Sequence, residues 1–272
     1  MKHVLSIAGS DCCGGAGIQA DLKTFAAHGV YGMSVITAVT AQNTQFILDI
    51  QNVSPVTIAR QIEAVFTDIP VHAVKIGMVS TTEAIHAIAS QLKRFQPSHV
   101  VLDTVMISKS GNSLLEPNAV ELLLDKLLPI ATLITPNIPE AELITGKKIQ
   151  SIPDMEKAAR RLFEIGAASV LLKGGHAAFD PTDILFDGTR FFHFEGRRIM
   201  TKNTHGTGCT LSSAIAANLA KNDSLQTAVA KAKKYVTLCI DHALSIGKGA
   251  GPLHHFYSIY EKAGAILPII KD

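Results

Sequence analysis

Short aliphatic runs alternate with longer segments of helical periodicity along nearly the whole chain, and this alternation constrains the fold more than any other feature. The aliphatic runs predict strands at 3–8, 33–40, 72–76, 99–103, 131–134 and 168–173. The helical segments lie at 15–28, 55–68, 81–95, 117–128, 153–166, 207–220 and 224–246. Two further runs, 183–187 and 190–195, are joined across Asp187-Gly188 and predict a β-hairpin. We therefore expect an α/β fold with a mostly parallel central sheet and helices on both faces.

The composition suits one large domain of this class. The chain has 272 residues, of which 47% are hydrophobic, enough to bury a sizeable core. Aromatic residues make up only 6% and Trp is absent, so the core must be mostly aliphatic, as in a buried parallel sheet. Because no Ser- or Pro-rich linker and no internal repeat divides the sequence, we expect a single domain over residues 1–272.

Charge and hydropathy argue against nucleic-acid and membrane partners. The net charge is +2, and the one compact basic cluster, Lys231, Lys233 and Lys234, is more typical of a solvated helix face. The sequence shows neither a signal-peptide pattern nor an apolar run of about 18 residues. The four cysteines match neither a metal-binding spacing nor a disulfide framework, which predicts a cytoplasmic protein with reduced thiols.

The segment 205–209, His-Gly-Thr-Gly-Cys, opens one of the predicted helices. A helix N-terminus presents unpaired amides and partial positive charge, and glycines let the backbone approach an anion closely, so this segment is a candidate phosphate cradle. Cys209 falls in the first turn, where the same field is expected to lower the pKa of its thiol. A glycine-rich loop before an Ala-rich packing helix explains the pattern equally well.

Polar residues follow several predicted strands at the edge where ligands bind in parallel sheets. They are Gly9-Ser10-Asp11, Gln42-Asn43, Asp103, Asn137 and Lys173. Asn137 and Glu140, three residues apart, place two oxygen-bearing side chains on one helical turn, where they suit either Mg²⁺ or a capping box. The pattern by itself favours the capping box.

Two glycine-containing loops complete the candidate site. Lys173-Gly174-Gly175-His176 places an ammonium beside an open backbone, although it lacks the order of a Walker P-loop. The loop 9–17 opens the first helix, and Asp21 lies just beyond it. Asp21 and Gln42 together could read an aminopyrimidine edge, whereas Asp21 alone is more typical of a helix surface.

In this order, the motifs resemble the ribokinase-like superfamily, and closely its hydroxymethylpyrimidine and phosphomethylpyrimidine kinase branch. The matching segments are 8–11, 14–24, 38–44, 75–78, 101–106, 134–137 with Glu140, 173–176 and 205–209. The resemblance runs from residue 3 to about residue 245. It implies a ribokinase-like fold and an ATP- and Mg²⁺-dependent kinase of thiamine biosynthesis. Such a kinase phosphorylates 4-amino-5-hydroxymethyl-2-methylpyrimidine and then converts the monophosphate to the diphosphate.

The resemblance also assigns roles to individual residues. The residues implied to bind the pyrimidine are Asp21, Gln42, Gly9, Met78 and Val105. Those implied to serve ATP are Asn137, Lys173 and Asp183, and those implied to serve Mg²⁺ are Asp103 and Glu140. The catalytic set comprises an anion hole at Gly206, Thr207, Gly208 and Cys209, with Cys209 as general base. A lid at 107–115 and a homodimer are further family expectations.

Two alternatives stay open, and one departure from the family pattern is visible. Pyridoxal kinase is the nearest rival, although Ser108 stands where such relatives tend to carry a lid cysteine. A non-catalytic pyrimidine or nucleotide sensor on the same scaffold is a rival of another class. Cys12-Cys13 replaces the Ser-Ser or Pro-Ser usual in the family loop, and we interpret the pair as small reduced residues.

Overall fold

A computed structural model describes residues 1–106, 118–175 and 181–265. Its strands are β1 (His3–Asp11), β2 (Tyr31–Gln42), β3 (Ile47–Asn52), β4 (Ala73–Ile76), β5 (Val100–Leu102), β6 (Leu133–Ile134), β7 (Val170–Leu172), β8 (Asp183–Phe186) and β9 (Phe191–Phe194). Its helices are α1 (Gly17–Ala27), α2 (Pro55–Asp68), α3 (Thr82–Phe95), α4 (Ala119–Lys126), α5 (Ile138–Thr145), α6 (Ile152–Ile165), α7 (Thr207–Ala220), α8 (Leu225–Asp241) and α9 (Tyr257–Lys262). A short 3-10 helix spans Leu128–Ile130.

These strands form one nine-stranded sheet in the order β3-β2-β1-β4-β5-β6-β7-β8-β9. The six strands from β2 to β7 in that order are parallel, whereas β3, β8 and β9 pair antiparallel at the two ends. The predicted mostly parallel sheet and the 183–195 hairpin are thus confirmed. The sequence analysis missed β3, because four of its six residues are exposed or polar and give no buried aliphatic run.

Helices cover both faces of the sheet, as predicted. One apolar cluster joins the sheet to α2, α3, α4, α5 and α6, with Ile62, Ile85 and Leu162 among its fully buried members. The other joins the opposite face to α1, α7 and α8 through residues such as Phe25 and Ile215. Strands buried on both faces leave only their ends accessible. In parallel sheets ligands bind at the carboxyl ends of the strands, so we expect the functional residues there.

Local capping explains most of the helix starts. The side chains of Ser54, Thr81, Ser151 and Ser224 each accept a hydrogen bond from a first-turn amide at the start of α2, α3, α6 and α8. The observed α2 and α7 have the predicted bounds, but α8 ends at Asp241, five residues earlier than predicted. No helix among the described residues is both long and apolar enough to cross a bilayer. The predicted lid at 107–115 lies outside the described residues.

A buried ion pair ties four elements together beneath the carboxyl edge of the sheet. Lys75 of β4 and Asp21 of α1 are both 0% exposed, and the Lys75 Nζ lies 2.9 and 2.8 Å from the two carboxylate oxygens of Asp21. Ser6 of β1 and Ser213 of α7 donate to the same carboxylate at 2.6 and 2.7 Å. Burial alone would lower the pKa of Lys75, but Asp21 outweighs it and raises that pKa above its usual value.

Removal of one partner of this ion pair should strongly destabilise the fold. We expect Asp21→Asn to lower the free energy of unfolding by about 3–5 kcal/mol, because it leaves a buried ammonium without its counter-charge. Denaturant titration of the variant against the parent measures the loss. The exposed pair of Arg94 and Glu63 provides the control, and Glu63→Gln should change the free energy by no more than about 1 kcal/mol. Equal losses in the two variants would contradict this role.

Candidate active site

The carboxyl ends of β1, β2, β4, β5, β6 and β7 lie along one edge of the sheet, and the polar residues singled out by sequence follow these ends. Backbone hydrogen bonds hold these residues side by side: the amide of Asp103 donates to the carbonyl of Ile76, and the amide of Lys173 donates to the carbonyl of Pro136. An isolated bridge also pairs Asn137 with Lys173. The predicted convergence of Asp103, Asn137 and Lys173 is therefore observed.

The N-terminus of α7 reaches this edge through a glycine that no other residue can replace without strain. Gly206 precedes the helix with a φ of +82°, and a Cβ there would lie 1.8 Å from the carbonyl oxygen of Gly15. The loop after β1 and the start of α7 are thus in direct backbone contact. Thr207, Gly208 and Cys209 form the first turn; the Thr207 amide donates to the carbonyl of Thr204, whereas the amides of Gly208 and Cys209 have no intrahelical acceptor. The structure confirms that a helix begins here, and the phosphate cradle at 205–209 stays a prediction.

Gly208 brings this turn against an ion pair. A Cβ on Gly208 would lie 3.4 Å from Oδ2 of Asp103 and 3.5 Å from Nζ of Lys173. Lys173 donates to Oδ1 of Asp103 at 2.9 Å, and the hydroxyls of Thr135 and Ser212 donate to the same carboxylate. A cation, two hydroxyls and free amides therefore surround the space in front of α7.

The electrostatics keep this ion pair charged. Burial would raise the pKa of Asp103, but Lys173 and Lys75 outweigh it and hold the pKa below its usual value. Burial would likewise lower the pKa of Lys173, yet Asp103 and Glu140 raise it. The Lys173 side chain is 15% exposed, so its ammonium can also meet an incoming anion.

Asn137 and Glu140 form the capping box of α5. The Asn137 side chain accepts from the Glu140 amide at 2.9 Å, and Oε2 of Glu140 accepts from the Asn137 amide at 2.8 Å. The Thr104 hydroxyl also donates to Oε2. Thus the capping interpretation is confirmed, whereas α5 itself was not predicted beyond its first turn.

The carboxylates of Asp103 and Glu140 suit a hard divalent cation. Burial and the nearby Asp103 raise the pKa of Glu140, whereas Lys173 lowers it. The two carboxylates and the lysine therefore interact electrostatically with one another. With both acids ionised, the group of three carries one net negative charge. Mg²⁺ prefers oxygen donors of this kind, shared with water and substrate phosphates. Asp103 and Glu140 therefore offer oxygen donors of the kind that suit Mg²⁺, and their assignment as its ligands, implied by the family resemblance, stays a prediction.

Asp183 supports the turn after β7. Its Oδ1 accepts from the amide of Gly174 at 2.8 Å, and its Oδ2 binds Nζ of Lys233 at 2.9 Å. Lys233 also donates to the backbone of Phe194, and its side chain is only 15% exposed. The interpretation of Lys233 as part of a solvated helix face was therefore wrong, because the lysine is drawn into the edge of the sheet by Asp183.

A second group of predicted residues lies around the start of the first loop. A Cβ on Gly9 would lie 2.6 Å from Cε of Met78, so these two residues pack directly together. Gln42 ends β2, accepts from the Thr40 hydroxyl, and places its Nε2 3.3 Å from Nε2 of His205. Gln42, Met78 and Val105 are all partly exposed, which leaves them accessible to a small molecule.

Asp21 does not fit its predicted role. Its side chain is 0% exposed, and the contacts with Lys75, Ser6 and Ser213 engage both of its oxygens. No acceptor is left for a ring amine, so we withdraw direct pyrimidine binding by Asp21. The alternative of a surface residue is equally wrong. The contact between Lys75 and Asp21 could not be predicted from the sequence. The burial of Lys75 could have been, because this lysine stands inside an aliphatic run and is followed by Gly77. A Cβ on Gly77 would lie 2.7 Å from Nζ of Lys75.

The environment of Cys209 also reverses an expectation. Burial raises the pKa of its thiol to about 11; Lys75 lowers it, and Asp21 and Asp103 raise it further. The expected lowering of this pKa by the helix N-terminus was therefore wrong. At neutral pH the residue is a thiol in the ligand-free protein.

Comparisons with known proteins bear on the whole chain. A family model described as phosphomethylpyrimidine kinase matches residues 11–254. The hydroxymethylpyrimidine/phosphomethylpyrimidine kinase of Rhizobium meliloti is 52% identical over 93% of this chain and 96% of its own. The thiamine biosynthesis bifunctional protein ThiED of Geobacter sulfurreducens is 53% identical over 93% of this chain, which spans only 52% of that longer protein.

A solved structure gives the same fold. The pyridoxal kinase of Bacillus subtilis, described as an ADP complex, superposes with a TM-score of 0.87 over 94% of this chain and 98% of that one. Its sequence identity is 35%, well below that of the pyrimidine kinases. The ribokinase-like fold expected from the sequence is thereby confirmed.

The raised pKa of Cys209 predicts slow and strongly pH-dependent alkylation. Because the thiolate is the reactive form, the rate constant for iodoacetamide at Cys209 should rise about tenfold per pH unit from neutral pH towards 11. Peptide mass spectrometry resolves this cysteine from Cys12, Cys13 and Cys239, and Cys209→Ala identifies its signal. A midpoint at or below neutral pH would contradict the protonated state.

Proposed function

The chain belongs to the phosphomethylpyrimidine kinase family, and we propose that it is a kinase of thiamine biosynthesis. With ATP it phosphorylates 4-amino-5-hydroxymethyl-2-methylpyrimidine, and it then phosphorylates this product to the diphosphate. The observation that carries this proposal is the position of the α7 N-terminus. Gly208 in its first turn adjoins Lys173 and Asp103 on one side, and Gly206 before it touches Gly15 in the loop after β1 on the other. Phosphoryl transfer depends on such positioning and charge stabilisation.

At the phosphate end, we assign distinct tasks to the backbone and to the lysine. The amides of Thr207, Gly208 and Cys209 would stabilise charge on the transferred oxygens, because their dipoles are fixed before the reaction begins. Lys173 would bind the phosphates with the part of its ammonium that Asp103 leaves free. Asp103 and Glu140 would hold Mg²⁺, which supplies charge neutralisation on the phosphates when bound. Asn137 contacts the same region from the start of α5.

Asp183 contributes to ATP binding as a positioning residue. It holds the amide of Gly174, directly after Lys173, and it is itself held by Lys233. A Cβ on Gly174 would lie 2.0 Å from the carbonyl oxygen of Thr182, so the turn is tightly fixed from both sides. Through this turn Asp183 sets the direction of the Lys173 side chain.

At the acceptor end, we propose that Gln42 reads the aminopyrimidine edge, because a carboxamide can both donate and accept. Gly9, Met78 and Val105 would line the ring pocket. Asp21 keeps a positioning role through Lys75 and Ser213, which fix β4 and α7 relative to each other.

Cys209 is the residue that we propose takes the hydroxymethyl proton. The resting thiol must first lose its own proton, which at pH 8 costs about 4 kcal/mol for a pKa near 11. That proton passes to solvent before the transfer, and the thiolate accepts the hydroxymethyl proton late, because a loose transition state forms little bonding to the acceptor oxygen before then. In the second step the acceptor is an already ionised phosphate, so no base is needed.

Two further assignments accompany this function. All four cysteines, Cys12, Cys13, Cys209 and Cys239, are free, which supports the proposed cytoplasmic location. We also propose a single catalytic domain that forms a homodimer, with the exposed apolar residues Val39, Phe46 and Leu48 beside the edge strand β3 as the contact face.

The choice of acceptor tests the function directly. We expect kcat/KM for 4-amino-5-hydroxymethyl-2-methylpyrimidine to exceed that for pyridoxal, since the identity to pyrimidine kinases is higher and Gln42 suits the ring. Coupled measurement of ADP release with each acceptor provides the comparison. A preference for pyridoxal would move the assignment to pyridoxal kinase, and no turnover with either acceptor would favour a sensor.

The role of Cys209 predicts an effect confined to one step. Cys209→Ala should slow the first phosphorylation by a factor of about 100 or more, the scale of general base catalysis, and should change the second far less. Single-turnover rates for each step measure this. In the parent protein the first rate should also rise with pH towards 11, whereas the variant should lack that rise. The buried, remote Cys239→Ala is the control. Equal losses in both steps would exclude the base role.

A further inference from the structure

Three side chains with different donor atoms meet where the loop after β1 faces the start of α7. Nε2 of His205 lies 2.9 Å from Oδ2 of Asp11 and 3.7 Å from Sγ of Cys13, and that Sγ lies 3.4 Å from the same Asp11 oxygen. The nitrogen, oxygen and sulfur thus form a closed triangle. We propose that Asp11, Cys13 and His205 bind a thiophilic divalent cation of the Zn²⁺ class.

The triangle has the dimensions of one face of a tetrahedral zinc site. With ordinary zinc bond lengths, tetrahedral geometry separates sulfur from nitrogen or oxygen by roughly 3.5 Å and nitrogen from oxygen by roughly 3.3 Å. The observed sulfur distances of 3.7 and 3.4 Å differ from this by 0.2 Å or less, and the nitrogen–oxygen distance of 2.9 Å needs to open by about 0.4 Å. A small rotation of the imidazole achieves this and leaves the fourth position for water.

The donors are held in place by the backbone around them. Asp11 is 3% exposed, and its carboxylate accepts hydrogen bonds from the amides of Cys13, Gly15 and Ala16. A Cβ on Gly15 would lie 2.2 Å from Cδ2 of His205, so the imidazole packs directly on this loop. Outer contacts of this kind orient metal ligands and strengthen binding.

The protonation states are compatible with metal binding. The hydrogen bonds from His205, Cys13 and the loop amides outweigh burial and lower the pKa of Asp11 to about 2, so it is always a carboxylate. Burial and Asp11 raise the pKa of Cys13 to about 11, so a cation must displace its proton to solvent. His205 would bind through Nε2 with its ring proton on Nδ1. Affinity should therefore rise with pH.

This site is separate from the carboxylates that suit Mg²⁺ and prefers a different metal. Asp103 and Glu140 offer only hard oxygen atoms, whereas a thiolate and an imidazole select softer cations. The site also borders Gln42, whose Nε2 lies 3.3 Å from Nε2 of His205. A cation on that nitrogen would displace the Gln42 carboxamide. If Gln42 reads the acceptor, as in the function proposed above, occupancy should weaken acceptor binding.

Titration of the full chain with Co²⁺ tests the site, because thiolate coordination produces an ultraviolet charge-transfer band that oxygen ligands do not. We expect this band in the parent protein and an affinity for Zn²⁺, measured by its displacement of Co²⁺, that increases with pH. Cys13→Ser should abolish the band, and His205→Gln should weaken binding at least tenfold. Cys12→Ser is the matched control: the Cys12 thiol hydrogen-bonds to the backbone of Gln42 and is not one of the three proposed ligands, so the band should persist.

Two outcomes would overturn the proposal: the absence of the band in the parent, or its persistence in Cys13→Ser when circular dichroism shows that this variant is folded. Kinetics then test the link to Gln42. Zn²⁺ should raise the KM for the pyrimidine at fixed ATP in the parent and in Cys12→Ser, but not in Cys13→Ser. An unchanged KM with the band present would refute that link. The band requires no turnover, so an inactive protein would count against the proposed function alone.

Discussion

The buried ion pair between Lys75 and Asp21 is the interaction on which the other parts of the site depend. These two charges are removed from water, and they are stable in the interior because they neutralise each other. The hydroxyls of Ser6 and Ser213 donate the remaining hydrogen bonds to the Asp21 carboxylate. Those four residues come from α1, β1, β4 and α7, the elements that meet beneath the candidate site. The pair therefore determines where the first turn of α7 sits relative to the strand ends. Lys75 also helps to lower the pKa of Asp103, whereas at Cys209 Lys75 lowers the pKa of the thiol and Asp21 raises it.

Close backbone approach is the second constraint, and it explains where the glycines stand. Gly206 touches the carbonyl of Gly15, and Gly17 lies so close to Gly9 that a Cβ would be 2.2 Å from its carbonyl oxygen. A side chain at Gly206 would separate the loop after β1 from the start of α7, and one at Gly17 would push the start of α1 away from β1. Gln42, proposed above to read the acceptor, lies 3.3 Å from His205 just before α7, so such a shift would move the acceptor side of the site relative to the anion-binding amides. Proximity of this kind is a large part of catalysis.

Local pattern was sufficient for most of the fold but not for the chemistry of the site. Aliphatic runs and capping residues depend on neighbours in sequence, which is why α2 and α7 were predicted with the observed bounds. The state of Asp21 depends on Lys75, 54 residues away, and no periodicity encodes that contact. For Cys209 the sequence showed the helix N-terminus, which lowers a thiol pKa, but not the burial and the carboxylates that raise it. The exposed edge strand β3 was not predicted for a related reason: it buries too few side chains to need an aliphatic pattern.

The charges around α7 suggest why a protonated thiol suits this position. Two lysines, Lys75 and Lys173, face three carboxylates, Asp21, Asp103 and Glu140, so the resting site already has a negative excess when all are ionised. A permanent thiolate at Cys209 would add to that excess beside the place proposed for the phosphates of ATP, and it would repel them. Burial prevents this by keeping the sulfur neutral in the resting site, and its proton must pass to solvent before the thiolate can accept the hydroxymethyl proton. As the acceptor oxygen bonds to the γ-phosphorus, the bond from that phosphorus to ADP breaks and ADP leaves with its electron pair, and the first-turn amides of α7 and Lys173 would stabilise the charge on the transferred oxygens. The raised pKa is therefore consistent with a base that is needed only late in the transfer.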